Sequence, residues 1–524
     1  MTRTLLLGLD GATFDVLDPL ARDGVLPGLA GLMARGVRAP LRSTANWLTP
    51  PAWTTVMTGR TPGNHRVFDF VRAEERDAGM YFTLTDSRDV AVETIWQAAS
   101  RQGARTIALN FPVMFPPRPV DGCVVPGFVP WRHLRRFTHP RDLYERIKTQ
   151  PGFELRDLAM DLDLERRTVQ GLDRGDMPAW IEAHLRRERQ WSGILAHLMA
   201  TEDWRLAGIN FDGNDKLLHL FWRFVMPDAA LEPWESRIRD LCLRYFRELD
   251  DHLVRAVRLA GPDARTFIVS DHGFGPSTEV FFVNAWLAER GYLRWAERAP
   301  AADDEALTVD RLKHHVAMID WDRTLAYALT PSSNGVCIRV ARHPGAPGIR
   351  PEDYPAVRGH LAAQLRAFRD PADGGRVVTR VRTREEAYPG AYTELAPDLL
   401  LTLRDGGFVS IRDAPGPLKP RAEVVGTHRP DGVFVALGAG IREGVRLPRL
   451  DITDVAPTLL YSMGLPVPAD YEGRVAREAF RAPAADDLAP GVPVRAGDGD
   501  RDADVFTADE EAEIVRRLTA LGYL

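Results

Sequence analysis

Two short motifs pair an aspartate with a histidine at spacings that could bind a metal ion. In "DGNDKLLH", Asp215 and His219 stand four residues apart, so on a helix both side chains point to the same side. In "SDHGFG", Asp271 and His272 directly follow an apolar run, and Gly273 permits the irregular backbone that would let both side chains reach one site. Each motif alone is more typical of a surface ion pair or a strand-end turn.

Two further residues extend the set of candidate ligands. Asp10 ends the apolar run "TLLLGLD", and His428 stands in "GTHRPDG", on a predicted loop before the next apolar strand. Three Asp and three His without a thiolate are a donor set that suits two divalent metal ions, Zn²⁺ first and Mn²⁺ as the alternative. Two three-ligand sites would leave room for substrate oxygens, and such a pair can hold the attacking and departing oxygens of a phosphoryl transfer.

A threonine beside two prolines could supply a nucleophile. In "LTPPAWTTVMTG", Thr49 precedes Pro50 and Pro51, and Gly59 closes the stretch. The simplest interpretation is a helix whose N-cap is Thr49, because proline is well tolerated in the first helical turn. A hydroxyl at a helix N-terminus also lies in positive potential, and a metal ion beside it would lower its pKa. The capping and nucleophilic roles are compatible.

Three apolar runs that end in acidic residues predict the elements that carry these side chains. The runs are "TLLLGLD", "WRLAGINFDGND" and "RTFIVSDHG", each typical of a buried strand that enters a loop. In open parallel sheets, ligands bind outside the carboxyl ends of the strands, so these segments could deliver carboxylates to one edge. Helical patterns, including a long one from Pro233 to Gly261, alternate with the strands. We therefore predict a doubly wound α/β fold with a mostly parallel sheet and helices on both faces.

Two regions interrupt the alternation of strands and helices. Residues 125–204 are rich in arginine and helical in pattern, and we predict a helical cap insertion there. Residues 296–424 contain short strands such as "GVCIRVAR" and "PDLLLTLRD", which predict a second, small α+β insertion. Both insertions are expected to wall the pocket. A linker and a C-terminal helix are predicted over 482–524. The remaining segments are assigned to a metal-binding core, at 1–124, 205–295 and 425–481.

The composition of the 524-residue chain is ordinary for a globular protein and disfavours some partners. The net charge of −6 predicts no nucleic-acid-binding surface, and no apolar stretch reaches the length of a membrane span. The first apolar run meets Asp10 too early for a signal peptide, and three scattered cysteines suit a reducing compartment. We therefore expect a cytoplasmic protein, and the oligomeric state is left open.

The order of the motifs resembles that of a known family. "GLDG", "LTPPAWTTVMTGRTPGNH", D-x-x-x-H, "SDHGFG" and "GTHRPDG" follow one another as in the alkaline phosphatase superfamily. The chain is similar to the type I phosphodiesterase/nucleotide pyrophosphatase-like branch, and within it to bacterial predicted phosphohydrolase/phosphomutase proteins. The resemblance covers residues 1–125, 205–295 and 425–480. Each motif is weak alone, but seven positions in this order are specific.

The resemblance implies a role for each candidate residue. One metal would be held by Asp215, His219 and His428, and the other by Asp10, Asp271 and His272. Thr49 would bridge toward both metals and attack phosphorus in line, which gives a covalent phospho-threonine that a metal-activated water then releases. The implied activity is hydrolysis of a phosphodiester or pyrophosphate, with a phosphorylated small molecule or a nucleotide-like compound as substrate.

Two departures from the family pattern concern how a phosphate oxygen is held. Glycine is common in the family where Arg66 stands, and nucleotide pyrophosphatases carry a phosphate-binding asparagine where this chain has Asp69 and Phe70. Arg66 could replace that asparagine, although a surface arginine is the more typical interpretation. The substrate-binding residues are therefore left unassigned.

Several activities are compatible with the same site. A phosphodiesterase or pyrophosphatase is the first hypothesis, and a phosphomutase or phosphotransferase with the same ligands is the second. A phosphomonoesterase would need a cation over the additional phosphate oxygens, and four arginines stand near the motifs, namely Arg42, Arg60, Arg66 and Arg429. A non-catalytic binding protein on this scaffold is disfavoured by the intact ligand set.

Overall fold

The computed structural model describes residues 2–76, 79–129, 131–158, 164, 172–227, 229–296, 316–482, 507, 509–510 and 512–515. Nearly all of the predicted linker and most of the predicted C-terminal helix lie outside these residues, although 509–510 and 512–515 are helical. None of the described helices combines the length and the apolar character needed to cross a membrane.

The described strands form one large sheet and three small ones. In chain order they are β1 (Thr4–Leu9), β2 (Val37–Arg42), β3 (Val71–Arg76), β4 (Gly79–Leu84), β5 (Thr106–Leu109), β6 (Gly122–Val125), β7 (Leu206–Phe211), β8 (Arg265–Val269), β9 (Gly273–Phe281), β10 (Ala326–Tyr327), β11 (Gly335–Ile338), β12 (Val378–Thr383), β13 (Leu399–Leu403), β14 (Leu418–Arg429), β15 (Asp431–Gly438), β16 (Val445–Arg446) and β17 (Leu450–Asp451). The large sheet has the order β16-β2-β15-β8-β1-β7-β5-β6, and β17 also pairs with β2. Its strand pairs are parallel except those of β15 with β2 and β8. The three predicted apolar runs are β1, β7 and β8, which lie side by side at its centre.

Helices cover both faces of the large sheet. Besides short 3₁₀ turns, the described helices are α1 (Phe14–Arg22), α2 (Pro27–Ala34), α3 (Thr49–Thr58), α4 (Pro62–His65), α5 (Ile95–Arg101), α6 (Leu143–Ile147), α7 (Leu155–Leu158), α8 (Met177–Thr201), α9 (Gly213–Val225), α10 (Pro233–Ala260), α11 (Val283–Glu289), α12 (Tyr354–Ala367), α13 (Arg384–Ala387) and α14 (Val455–Ser462). Because side chains alternate along a strand, Leu5 and Leu7 of β1 pack with α1, α2 and α8–α10, whereas Leu6 packs with α3, α5 and α14. The predicted doubly wound fold is confirmed.

A glycine in the central strand sets the position of α3. A Cβ atom on Gly8 would lie 2.5 Å from Cη2 of Trp53, so only glycine lets this helix pack so closely on β1. Trp53 is completely buried in the same apolar cluster as Leu6. The close contact holds the first turn of α3 next to the end of β1, where Asp10 lies.

The helical segment after β6 packs directly on the large sheet. Trp180 and Trp191 of the 25-residue helix α8 are buried in the same apolar cluster as Leu5 of β1. Ile238 and Leu249 of the long helix α10 belong to that cluster as well. The predicted cap segment therefore contributes a layer of helix that shares the core of the sheet.

The second insertion contains its own small sheet. β10, β11, β13 and β12 form an antiparallel sheet in that order, and Val336, Leu401 and Leu361 contribute to an apolar cluster with Trp286. A long antiparallel ribbon of β9 and β14 leads from the large sheet into this region and back. The ribbon places residue 428 opposite Phe274, close to the end of β8.

Candidate active site

Asp215, His219 and His428 come together in space. Helix α9 places Asp215 and His219 one turn apart on its buried side, as their spacing predicts, and β14 brings His428 to them. Nε2 of His219 lies 3.0 Å from Nε2 of His428, and Asp215 Oδ1 lies 3.1 Å from the His428 nitrogen and 3.5 Å from the His219 nitrogen. Three donor atoms therefore face one point and could hold a metal ion.

Asp10, Asp271 and His272 form a second group of three. Asp10 directly follows β1, and the other two follow the end of β8 after one intervening residue. Nε2 of His272 lies 3.2 Å from Asp271 Oδ2 and 3.6 Å from Asp10 Oδ1. The same nitrogen is 3.9 Å from Asp215 Oδ1, so the two groups adjoin. All six residues are buried.

One predicted location is wrong in detail. His428 was expected on a loop before an apolar strand, but it lies near the end of β14, paired with Phe274 of β9. The ribbon continues past the expected loop because β9 and β14 form backbone hydrogen bonds along their length. This pairing places the His428 backbone beside the end of β8.

Thr49 lies beside the second group and does not cap its helix. Helix α3 begins at Thr49 itself, Leu48 occupies the N-cap position, and no side chain caps the helix. The expected N-cap role of Thr49 is therefore wrong. The Thr49 hydroxyl instead lies 3.3 Å from Nε2 of His272. Thr49 is 1% exposed, so its hydroxyl is held at the site and kept from bulk solvent.

The three histidines are oriented by backbone carbonyl groups. Nδ1 of His428 donates to the Trp47 carbonyl at 2.8 Å, Nδ1 of His272 donates to the Gly273 carbonyl at 3.1 Å, and the His219 ring bonds to the backbone of residue 426. A proton on Nδ1 leaves the lone pair on Nε2. The two Nε2 lone pairs that face each other at 3.0 Å repel unless a cation lies between them.

Sequence reasoning missed the residues that fix Asp10. Trp53 Nε1 donates to Asp10 Oδ2 at 3.0 Å, and Asn210 Nδ2 donates to the same oxygen at 3.2 Å. Asn214 Nδ2 donates to the Asp10 carbonyl at 2.7 Å. An amide inside the buried strand "LAGINF" was the available signal, because a buried polar side chain requires a partner.

The electrostatics of the site indicate that a bound cation would stabilise it. Burial, followed by repulsion from neighbouring carboxylates, raises the pKa of Asp10 and that of Asp271 well above the usual range. Burial lowers the pKa of His219 to about 4 and that of His272 well below its usual range. Burial also opposes ionisation of Asp215, but the facing imidazoles, His219 first, outweigh it and lower the pKa of that carboxyl.

Two carboxylate oxygens of the site lack hydrogen bonds. Asp10 Oδ1 and Asp271 Oδ2 are buried, and neither has a hydrogen-bond partner among the residues that the structure describes. A buried ionised oxygen without a partner is costly. The donor atoms of a tetrahedral Zn²⁺ site, each about 2.0–2.2 Å from the ion, lie about 3.3 Å apart, and the distances of 3.0–3.6 Å between several donor atoms here fit that geometry.

Asp212, the acidic residue that directly follows β7, is not part of either group of three. Asp212 pairs with Arg187 and, at 2.7 Å, with Lys216, and the amide of Gly213 donates to Glu188 at 2.8 Å. We call Arg187, Glu188, Asp212 and Lys216 the ion-pair cluster. All four are buried, and they connect α8 to the start of α9.

The four arginines near the motifs have different surroundings. Arg60 is buried against Asp470 and the Tyr471 ring, which gives it a structural role, and Arg42 is exposed. The Arg429 guanidinium donates to the His428 and Pro276 carbonyls. Arg66 is partly exposed.

A family model named type I phosphodiesterase / nucleotide pyrophosphatase matches residues 4–431. The chain belongs to this family. The match includes all seven candidate residues from Asp10 to His428, so the resemblance drawn from the motif order is confirmed. No curated protein matches the chain.

Membership of the type I phosphodiesterase/nucleotide pyrophosphatase family establishes the general activity. Members hydrolyse phosphoesters of the phosphodiester and pyrophosphate type and depend on metal, so this chain is an enzyme of that kind. The two acidic and histidine groups are residues that could bind the metal. The family's mixed α/β fold also agrees with the central sheet described above.

Proposed function

We propose that the enzyme is a two-metal phosphohydrolase that uses Thr49 as its nucleophile. The observation that carries the proposal is the 3.3 Å distance between the Thr49 hydroxyl and His272 Nε2, at the junction of the two groups of three. A hydroxyl there can reach a phosphoryl group bound by both sites. The bond cleaved is a phosphodiester or a pyrophosphate bond.

The residues fit two divalent cations, Zn²⁺ first and Mn²⁺ as the alternative. Asp215, His219 and His428 would hold one ion, and Asp10, Asp271 and His272 the other. Carboxylate and imidazole donors suit both metals. Bound ions would hold the phosphoryl oxygens, offset the charge of three carboxylates and lower the pKa of the Thr49 hydroxyl.

The reaction would proceed in two displacements at phosphorus. Thr49 Oγ1 forms a bond to phosphorus as the bond to the leaving-group oxygen breaks, and the hydroxyl proton would pass through water to the leaving-group oxygen. Water then attacks the phospho-threonine, the Oγ1–phosphorus bond breaks, and the threonine is restored. Because Thr49 is buried at the start of a helix packed tightly on β1, its hydroxyl is held in position for the attack.

The two insertions would enclose the substrate. The described residues of 125–204 and of 296–424 contribute to two different apolar clusters, and the second insertion contributes residues near the metal ligands. Phe408 lies 4.9 Å from the His428 ring, and Trp47 Nε1 bonds to the Gly406 carbonyl at 3.4 Å. These residues would form one wall of the site, with the core at 1–124, 205–295 and 425–481 carrying the ligands.

Initial rates with activated esters test the nucleophile. Metal-stripped protein would be reloaded with Zn²⁺ or Mn²⁺ and assayed on bis(para-nitrophenyl) phosphate and para-nitrophenyl phosphate. We expect Thr49→Ala to lower kcat on the diester by at least about 10³-fold, since a nucleophile is removed outright. Thr49→Ser keeps a hydroxyl and should retain part of the rate. Thr379→Ala removes an exposed threonine remote from the site and should change nothing.

The same assay separates the alternatives. A full rate in Thr49→Ala would overturn the mechanism. A preference for the monoester would favour a phosphatase or a mutase with the same residues. Acid quenching followed by mass spectrometry should find the phosphoryl adduct on the peptide that contains Thr49, and transfer of that group to an alcohol instead of water would identify a phosphotransferase.

A further inference from the structure

A cavity separate from the candidate active site lies between the core and the second insertion. Its volume is about 350 Å³, and its walls come from residues 66–74, 327–337 and 388–397, with Thr85. Both apolar and polar groups line it, including the rings of Phe68 and Tyr388 and the hydroxyl of Ser333. None of the seven candidate site residues is among its lining residues. A cavity of this size can accommodate a small organic molecule.

Arg66 presents an unpaired cation to this cavity. Within the described residues its guanidinium has no hydrogen bond or ion pair, and its Nη1 atom is buried. The nearest aromatic contact is with the Tyr392 ring, 5.9 Å from the guanidinium carbon. A buried guanidinium nitrogen without an acceptor is unfavourable, so an anion bound here would supply the acceptor that Nη1 lacks.

The backbone at Arg66 is also held in an unusual conformation. Its φ is 77°, in the left-handed region that favours glycine, and its amide donates to the Pro62 carbonyl at 2.9 Å. Glycine would adopt this conformation without steric cost. A strained position that carries a long cation points to a role for the side chain, because strain of this kind concentrates at functional sites.

The other charged groups of the cavity are already paired. Arg72 binds the Asp89 carboxylate at 3.0 Å. Asp69 accepts the hydroxyls of Thr330 and Ser332 at 2.6 Å each and the Phe70 amide at 2.7 Å. Burial raises the pKa of Asp69 to about 6. Asp89 attracts Arg66 through space but forms its contact with Arg72. Glu74 also lines the cavity, with its side chain 48% exposed and 4.0 Å from Arg72. Of the two arginines in the cavity wall, Arg66 is therefore the one that a ligand anion would meet without displacing a carboxylate.

We propose that this cavity binds a small organic acid, whose carboxylate or phosphate pairs with Arg66 and whose apolar body packs against Phe68 and Tyr388. The ligand class follows from the walls, since a guanidinium matches planar or tetrahedral oxyanions and the two rings, 5.3 Å apart, offer an apolar face. The site is separate from the metal ligands and does not depend on the hydrolytic mechanism.

Two sources of such an acid are open to the enzyme. A short chain of hydrogen bonds joins the cavity wall to the nucleophile's segment, because Asn46 Nδ2 donates to the Ser332 carbonyl at 2.9 Å and Ser332 donates to Asp69. Asn46 stands three residues before Thr49. The acid could be the distal part of a phosphoester substrate or a separate effector, and both present the same oxyanion to Arg66.

Binding of two simple probes tests the cavity. Benzoate and phenylphosphonate would be titrated by calorimetry into the full-length, metal-loaded protein and into each variant under the same conditions. Arg66→Gly is the deciding variant, because glycine fits the backbone and should leave the melting temperature unchanged or raised. We expect at least tenfold weaker binding in Arg66→Gly, an intermediate loss in Arg66→Lys, and no change in Arg323→Gln, which removes an exposed arginine of the insertion.

The outcomes show first whether the cavity binds an acid, and then whether that acid is part of the substrate or a separate effector. Equal binding of the probes by wild type and Arg66→Gly would overturn the proposal. It would also be overturned if neither probe bound at a concentration of about 10 mM. If Arg66→Gly raises KM only for a nitrophenyl ester that carries a carboxylate, the acid belongs to the substrate. If benzoate changes the rate on an uncharged ester through Arg66, the acid is an effector. Failure of hydrolysis would leave the calorimetric result intact.

Discussion

The molecule buries two neighbouring clusters of charged side chains, and they are balanced in opposite ways. In the ion-pair cluster, two cations face two carboxyl groups, and Asp212 bonds to both Arg187 and Lys216. In the metal-site cluster, which comprises the two groups of three, the three carboxylates are accompanied by three imidazoles, and burial disfavours the charged form of His219 and His272. The first cluster balances its carboxyl groups with cations of the chain, although Glu188 Oε2 has no hydrogen-bond partner among the described residues. The second cluster requires positive charge from outside.

The two clusters differ as buried charges that stabilise a fold differ from buried charges that serve a function. A buried ion pair with full hydrogen bonding can hold two helices together, and removing one partner is expensive. Buried carboxylates that repel one another destabilise the fold unless a ligand compensates them. The second arrangement is tolerated where function depends on it. Opposite responses to the same substitution in the two clusters would establish the distinction.

The largest expected difference is in activity and metal content. Asp271→Asn removes a charged donor and should lower kcat/KM by at least about 10³-fold, with loss of bound metal measured by elemental analysis. Lys216→Met in the ion-pair cluster leaves Asp212 paired with Arg187, and we expect less than a tenfold effect. Full metal content in Asp271→Asn would show that this carboxylate is not a ligand.

The next difference is in the stability of the metal-free protein. Asp212→Asn should lower the free energy of unfolding by about 3–5 kcal/mol, because it leaves Arg187 and Lys216 without their carboxylate. Asp271→Asn should raise it by about 1–2 kcal/mol, since a repelled buried charge becomes neutral. Urea titrations after chelation would measure both. Destabilisation by both substitutions to the same extent would remove the distinction between the clusters.

These responses depend on neighbours that the sequence shows only in part. The strand-end positions of Asp10 and Asp271 and the helical spacing of Asp215 and His219 are local, and the motifs predicted them correctly. Thr49 was predicted as a nucleophile from its position at a helix start and from the resemblance, whereas its predicted capping role was wrong. Local pattern could not show that the hydroxyl faces His272, because this contact joins residues 223 positions apart.

The features of the site that the sequence did not predict depend on contacts between distant parts of the chain. The position of His428 depends on a ribbon whose strands start at 273 and 418 in the chain. The Arg66 cavity depends on walls from the core and from the second insertion. The central strands and the short strands of the second insertion were predictable because a short apolar run is a local pattern. The docking of one region on another depends on contacts between distant segments, which no single segment shows.

A smaller effect concerns the pH dependence of the ion-pair cluster. Burial, followed by repulsion from Asp212, raises the pKa of Glu188 to about 7. The folded state therefore holds this proton more tightly than the unfolded chain, and the resulting stability is complete below about pH 4.5 and lost as pH rises through 7. Glu188→Gln should remove roughly 1–3 kcal/mol of the decline in unfolding free energy over this range.

Unfolding by urea at several pH values would measure this change. Gln can still accept the Gly213 amide, so the helix contact is kept. Glu352→Gln, at an exposed site, should leave the pH profile as in the wild type. A profile in Glu188→Gln as steep as that of the wild type would mean that Glu188 stays ionised in the folded wild type. Arg187 and Lys216 would then offset the effect of burial on its carboxyl group.

The smallest effect should come from a residue that connects the metal-site cluster to the core. Trp53 and Trp96 are both completely buried on the same face of the sheet, and each packs 2.5 Å from the site of a Cβ on a strand glycine, Gly8 for Trp53 and Gly208 for Trp96. Only Trp53 donates a hydrogen bond to Asp10. The two tryptophans are therefore matched in packing and differ in their connection to the site.

Replacing each tryptophan by phenylalanine separates packing from metal binding. Both variants should lose about 1–3 kcal/mol of unfolding free energy, because each leaves a similar void beside the sheet. Trp53→Phe should in addition weaken metal binding by about 10-fold, since Asp10 keeps only the donor from Asn210 on that oxygen. Competition with a chelating dye would measure the affinity. Equal metal affinity in the two variants would show that Asp10 needs no support from α3, and that the close packing of this helix serves only to position Thr49.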